Sequence, residues 1–337
     1  MTTPEHSNLP AQIADALAGI PKALIPTSVK ALDRLVGAAV DIPVAWLAQK
    51  KAQIDAQTQA YTLVEKAIAD AAANSAGGDT ETVQNAVNVL VRKAYRKHVN
   101  RQSVAAAMVE DLRASAPDEQ QDASAPPPPS LDEDWLNVFE RYAEDASTER
   151  MQHLWGRVLA GEIRKPGRYS TRTLRFLSEF TQADGLMFAE FAKSVMGDLA
   201  PRSLVKPVGK EVIRDLIFLE SSGLIQGASG TGLGATMKFD GSGNVFMREG
   251  SLLILLQGNP GESFQFEACV LTPLGQELLG LLPNRDTRAA ARAVANAIKV
   301  PQIRSAFLAT FAGSQGQVVP MEILWQPDAT QPVSPAA

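Results

Sequence analysis

Cysteine is nearly absent from this 337-residue chain, and the single Cys269 can form neither an internal disulfide nor a cysteine-built zinc site. Histidine is almost as scarce. His6, His98 and His153 are too scattered, and too poorly placed among carboxylates, to read as a metal site, so no metal and no cofactor is expected. Positive charge is not in excess: 32 Lys and Arg stand against 37 Asp and Glu, a net charge of −5. That balance excludes a generally basic nucleic-acid binder and leaves only local basic patches open. No apolar run approaches the roughly 20 uninterrupted residues that span a bilayer. The opening MTTPEHSNLP has no cationic-then-apolar leader, so a cytoplasmic protein is expected. What is present, 45% hydrophobic and 20% charged residues, suits a globular protein of two ordinary domains or three small ones.

Helical spacing dominates the first 114 residues. Leu9, Ile13, Leu17 and Ile20 recur at that spacing before Pro21 and Pro26 break the chain. The small-residue stretch Ser28–Ala48 is interrupted by Asp33, Arg34, Asp41 and Pro43 and reads as a packed helical hairpin. Lys30, Arg34, Lys50 and Lys51 beside it leave a membrane-surface segment over 29–46 as the alternative. A polar helix around 52–73 is closed by Gly77-Gly78, and the next runs through Val83, Val87, Leu90 and Val91. Residues 115–130, with four consecutive prolines at 126–129, read as a linker.

Beyond the linker, Trp135, Phe139 and Tyr142 share one helix face. Ser147 is the expected cap of a second helix whose apolar face is Met151, Leu154, Trp155, Val158, Leu159 and Ile163. Pro166-Gly167 stops it, and Ser170 starts a third helix with Leu174, Phe176, Leu177 and Phe180. Further on, a helix at 212–222 precedes strands at 235–239 and 245–257, the second bulged at Gly250. The turn Asp240–Asn244 is expected to join them as a hairpin. A helix over 286–299, a second helix to about Phe311 and a strand near 318–325 complete the reading.

Few motifs carry chemistry. Gly230, Gly232 and Gly234 run into a strand rather than a helix N-terminus, so they read as a loop and not a phosphate cradle. Ser314 lacks the strand-turn-helix setting of a hydrolase nucleophile. Asp132-Glu133-Asp134 opens a helix, where acids suit the dipole, rather than a metal site. Two basic segments remain. Arg92, Lys93, Arg96 and Lys97 are i, i+4 neighbours on a helix face. Arg164, Lys165, Arg168, Arg172 and Arg175 lie within IRKPGRYSTRTLR, which holds no acid. Arg172 and Arg175 oppose the helix dipole there, so either carboxylates of the Asp132–Asp145 region pair with them or the turn holds phosphate.

Several resemblances follow from these residues. Arg92 and His98 fit the loose Arg-x(4–6)-His pattern of the HEPN ribonucleases, which implies an arginine and a histidine acting on a scissile phosphate. LIFLESSGLI followed by VLTPLGQELLGLL resembles the second half of a winged helix-turn-helix domain. From 209 to 257, four basic residues against five acidic ones argue for protein contact there rather than DNA reading. The Ala-Ser-x-Glu-Arg-Met-Gln-x-Leu-Trp-Gly-x-Val-Leu-Ala-Gly-Glu-Ile core with its Lys-Pro-Gly resembles an uncharacterised bacterial family, domain of unknown function 2806. ALIPTSVKALDRLVGAAVDIPVAWLAQK resembles the Abi-alpha abortive-infection group. These two imply a bacterial cytoplasmic protein with a place in phage defence.

The expectation is therefore a mainly α protein. It comprises a helical domain over 1–114, a disordered Pro-rich linker over 115–130 and a helical bundle over 131–180. A winged-helix-like α+β unit over 181–283, C-terminal helices and strand over 284–325 and a tail over 326–337 follow. The expected function is non-enzymatic interaction, through a protein partner or self-association. Nucleic-acid binding by 92–101 and 164–175 is the first alternative, and a HEPN-like ribonuclease or a membrane-acting effector the second.

Overall fold

A computed structural model describes residues 19–36, 80–114, 130–205, 210–230, 232–283, 285–312 and 317–326. The chain forms two compact units, residues 1–178 and 179–337. The expected linker over 115–130, apart from Ser130, the polar helix around 52–73 and most of the small-residue stretch lie outside the described residues.

The described part of the first unit is helical. A 3-10 turn at Lys22–Leu24 leads into α1 (Ile25–Val36), which buries Ala31, Leu32, Leu35 and Val36. α2 (Thr80–Ala114) buries Val104, Ala105, Ala107, Met108, Val109 and Leu112 in its C-terminal part. α3 (Glu133–Ala143) starts where the Asp132 carboxylate accepts the Trp135 N–H at 2.7 Å. α4 (Glu149–Arg164) is capped by Thr148, one residue later than the expected Ser147; its hydroxyl accepts the Met151 N–H at 3.3 Å. α5 (Thr171–Glu179) begins after Ser170, whose hydroxyl accepts the Thr173 N–H at 3.2 Å.

Aromatic spacing and two glycines explain how these helices meet. Trp135 stacks on Phe139 with ring centres 5.1 Å apart, Phe139 meets Trp155 edge-on at 5.7 Å, and Tyr142 stacks on Trp155 at 5.6 Å. The Trp135 indole N–H donates to the Tyr169 carbonyl at 2.7 Å. α4 crosses α2 at Gly156, where a Cβ would stand 2.5 Å from the Ala107 Cβ and 2.7 Å from the Met108 nitrogen. One turn on, a Cβ at Gly161 would stand 2.7 Å from the Tyr169 ring. The Trp-Gly-x-Val-Leu-Ala-Gly phrase is thus a packing surface: Trp155, Val158 and Leu159 fill the core while Gly156 and Gly161 admit their neighbours.

The second unit overturns the mainly α expectation, because it holds two four-stranded antiparallel sheets. It opens with α6 (Gln182–Ala192), closed by a Thr181–Asp184 capping box. β1 (Leu199–Pro201), α7 (Lys210–Ser221), β2 (Ile225–Gln226), β3 (Leu233–Lys238), β4 (Asn244–Glu249), β5 (Leu252–Gly258) and β6 (Ser263–Leu271) follow. α8 (Pro273–Leu279), α9 (Thr287–Ala297), β7 (Ile303–Ala312) and β8 (Gln317–Trp325) complete it. In the first sheet β6 is central, with β1 along one edge and β2 and β3 in succession along the other. The second sheet runs β4-β5-β7-β8, and α9 covers one face of it with Ala291, Val294 and Ala295 against Met247, Ile254, Leu256 and Leu308.

Two expected elements are corrected. The Asp240–Asn244 turn does not close a hairpin: β3 pairs with β6 and β4 with β5, so the turn passes from one sheet to the other. The Asp240 carboxylate holds it by accepting the Ser242 and Asn244 N–H groups, each at 2.8 Å. The hairpin lies at Gly250-Ser251, where Gly250 takes φ +60° and turns what was read as one bulged strand back on itself. The expected wing is therefore not formed. The second helix expected up to Phe311 is the strand β7, paired on both edges and buried at Ile303, Ala306, Leu308 and Ala309.

Candidate functional site

The first basic segment lies along α2, and acids of α3 take up part of its charge. Lys97 pairs with Glu144, and Arg101 pairs with Glu140 at 2.6 Å. Arg34 of α1 reaches the same Glu140 at 3.2 Å, while the Asn100 amide donates to the Glu144 carbonyl at 2.8 Å. Lys30 pairs with Glu133 at 2.5 Å, and its ammonium draws the Glu133 carboxyl below its ordinary value. Three of the carboxylates expected to answer the 164–175 turn, Glu133, Glu140 and Glu144, thus pair with α1 and α2. Arg92, Lys93 and Arg96 are exposed.

His98 stands 3.0 Å from the Gln102 amide, and burial together with the Arg101 charge lowers its pKa. Both effects disfavour the imidazolium that a general acid would use. Six residues on a helix turn through 240°, so Arg92 and His98 point about 120° apart and do not converge within one chain.

The second basic segment occupies the end of α4 and the start of α5. Arg164 donates to the Asp111 carboxylate at 2.5 Å and to the Asp111 carbonyl at 2.7 Å, and Arg157 approaches the same carboxylate at 3.7 Å. Lys165 is exposed, and Arg168 lies 5.3 Å over the Tyr169 ring. Arg172 and Arg175 are exposed on α5. Asp111 follows Arg96 by fifteen residues, about 22 Å along α2, so the two basic segments do not merge into one patch. Sequence reasoning missed Glu162, just upstream of the acid-free stretch. Its side chain is 2% exposed and accepts the Gly167 N–H at 2.5 Å and the Tyr169 N–H at 2.9 Å. The basic turn is therefore folded around a buried carboxylate.

The second unit carries two further features. A cleft of about 410 Å³ is lined by Gly197, Asp198, Arg248, Glu249, Gln276, Leu279 and Gly280. Its Glu249 is already engaged, paired with Arg285 and accepting the Gly197 N–H at 3.3 Å. Arg285 also donates to the Ala192 carbonyl at 3.0 Å, so this network braces the end of α6 against β4. The other feature is α7, which buries Leu216 and Leu219 but leaves Val212, Ile213 and Ile217 exposed by 40%, 41% and 54%. The sequence signal was present in VIRDLIF, where apolar residues flank Arg214-Asp215 too broadly for a single buried face. Glu220 closes this helix by accepting the Ala228 N–H at 3.0 Å and the Ser229 N–H at 2.9 Å.

Among the described residues no group of three or more His, Cys, Asp and Glu is placed to hold a metal ion, and no helix is long and apolar enough to cross a membrane. The packing phrase around Gly156, the Glu162 turn and the first basic segment all fall in one stretch that a family model matches. Residues 92–206 match the family described as Protein of unknown function (DUF2806). This stretch resembles that family, from the middle of α2 to just beyond β1. The DUF2806 match thus takes in both basic segments and the aromatic core and stops before α7. The comparisons give no match to the Abi-alpha group, and no curated protein or solved structure matches the chain.

Proposed function

We propose that this is a non-enzymatic interaction protein whose contact surface is the exposed face of α7. The observation that carries the reading is the exposure of Val212, Ile213 and Ile217 together on one helix. A cluster of large apolar side chains left in water is favoured when another protein covers it. Internal use of Lys97, Arg101 and Arg164 supports the same reading, because cations held by carboxylates are less available to a polyanion. The setting we propose is the bacterial cytoplasm, which suits a buried, free Cys269, with phage defence as the process. A benzophenone side chain placed at Ile217 and irradiated in cells is expected to give a discrete protein adduct. Absence of any protein adduct there would sink the reading.

A second reading, nucleic-acid binding, is favoured by the exposed Lys93, Arg96, Lys165 and Arg172. It requires affinity for short duplexes or single strands that falls steeply with salt. Replacing Lys165 and Arg172 with Ala should flatten that slope by about two phosphate contacts. No binding at low salt would retire this reading and, with it, a ribonuclease using His98.

A further inference from the structure

We propose that the N-terminal half of α2 docks on an anionic lipid surface. From residue 85 to residue 96, about 18 Å of helix, no side chain is buried. Within that length Val89 and Leu90 are 66% and 65% exposed, and Arg92, Lys93 and Arg96 are exposed beside them. At about 3.6 residues per turn, Val89, Leu90, Lys93 and Arg96 fall within about 120° of the helix circumference. One side of the helix thus offers two large aliphatic side chains with cations among them.

Charge selects the kind of partner. α2 holds no acid between Glu81 and Glu110. Glu144 and Glu140 answer Lys97 and Arg101, but among the described residues no carboxylate pairs with Lys93 or Arg96. An unanswered cationic face calls for an anion, and the exposed aliphatic side chains choose among anions. A nucleic-acid backbone gives Val89 and Leu90 nothing to bury against. A bilayer of anionic lipid meets both needs, because headgroup phosphates take the cations and the acyl boundary takes the side chains. With two aliphatic anchors and few cations, the association is weak and reversible. The inference is independent of α7. It draws on two cations, Lys93 and Arg96, that the nucleic-acid reading also uses.

Co-sedimentation of the full chain with vesicles tests it. Phosphatidylcholine vesicles with about one-third phosphatidylglycerol should carry the protein down, and phosphatidylcholine alone should bind it several-fold less. Lys93→Gln and Arg96→Gln together should weaken binding roughly tenfold or more, since each cation near such a surface contributes about fivefold. Val89→Gln and Leu90→Gln together should weaken it several-fold as well, with unchanged circular dichroism, because neither side chain is buried in the fold. A polarity-sensitive dye on Leu90→Cys should shift to the blue with the anionic vesicles and not with a short DNA duplex; the native Cys269 is buried.

No binding to the anionic vesicles overturns the proposal. So does binding that survives the Val89→Gln and Leu90→Gln pair, which would mark adsorption by charge alone. An equal blue shift with the duplex overturns it too and returns Lys93 and Arg96 to the nucleic-acid reading. The benzophenone adduct at Ile217 reports on α7 alone, so failure of that reading and failure of this one are told apart.

Discussion

Gly156→Ala is expected to destabilise the first unit by about 2 kcal/mol, although the same change at an ordinary helix position stabilises. Alanine gains about 1 kcal/mol over glycine from helix propensity alone. At Gly156 the new methyl would meet the Ala107 Cβ at 2.5 Å and the Met108 backbone nitrogen at 2.7 Å, well inside the 3.5–4.0 Å of a normal carbon contact. Neither neighbour is the tip of a flexible side chain, so α4 and α2 must move apart. Overpacking of that kind costs about 1–3 kcal/mol, and contact with backbone puts it at the upper end. Gly185 of α6 is the internal control: its nearest neighbour is a Phe180 ring carbon at 3.5 Å, so Gly185→Ala should be neutral or stabilising. Urea unfolding followed by near-ultraviolet circular dichroism reads the difference, with Trp135, Phe139, Tyr142 and Trp155 supplying the signal of the first unit and Trp325 that of the second. Equal stabilisation by both substitutions would show that the helices do not approach at Gly156 as closely as described.

The helices of residues 131–180 were legible because their information is local. Asp132 and Ser170 cap where they stand, and Trp135, Phe139 and Trp155 repeat with the helical period. β7 was not, because it carries apolar residues on both faces, Ala306 and Leu308 in one cluster and Phe307 and Ala309 in the other, and so loses the alternation that marks a strand. IRSAFLATFA, with its three alanines, then reads as readily as a helix. Strand partners were hidden for a related reason. The Asp240–Asn244 turn has hairpin composition, yet β3 pairs with β6 at Ser263–Ala268, a choice made by distant residues. Once the hairpin moves to Gly250-Ser251, the resemblance to a winged helix loses the wing that carried it.

Site residues divided along the same line. The basic residues were visible as letters, but their partners were not: Arg164 finds Asp111 fifty-three positions earlier, and Lys97 finds Glu144 forty-seven positions later. Charge counted along the chain overstated the cationic surface, because pairing is settled by which helices meet. The acids at 140 and 144 were equally visible, and only the packing of α3 against α2 brings them to Arg101 and Lys97. Glu162 was passed over because an acid beside Arg164 looks like an ordinary helical neighbour. Its role depends on the chain reversing at Pro166-Gly167.

Glu162→Leu is expected to cost about 3 kcal/mol or more and to loosen the turn that carries Lys165 and Arg168. The carboxylate is buried and accepts two backbone N–H groups, Gly167 and Tyr169. Hydrogen bonds to a charged acceptor contribute about 1.5–3 kcal/mol each, and a leucine of similar size leaves the buried Tyr169 donor without an acceptor and the Gly167 donor to water. Glu162→Gln should cost less, because its amide oxygen still accepts one N–H while its NH₂ group faces the other donor. Hydrogen exchange locates the effect. The Gly167 and Tyr169 amides should lose protection in both variants, more so in Glu162→Leu, while amides in the middle of α4 change only with global stability. Unchanged protection at those two amides would mean that the carboxylate does not hold the turn. Loss of protection without loss of fold would make Glu162→Gln a direct probe of the basic segment. An anion that binds through Lys165 and Arg168 would then bind less well to a loosened turn, whereas contact through α7, in the other unit, would be unaffected.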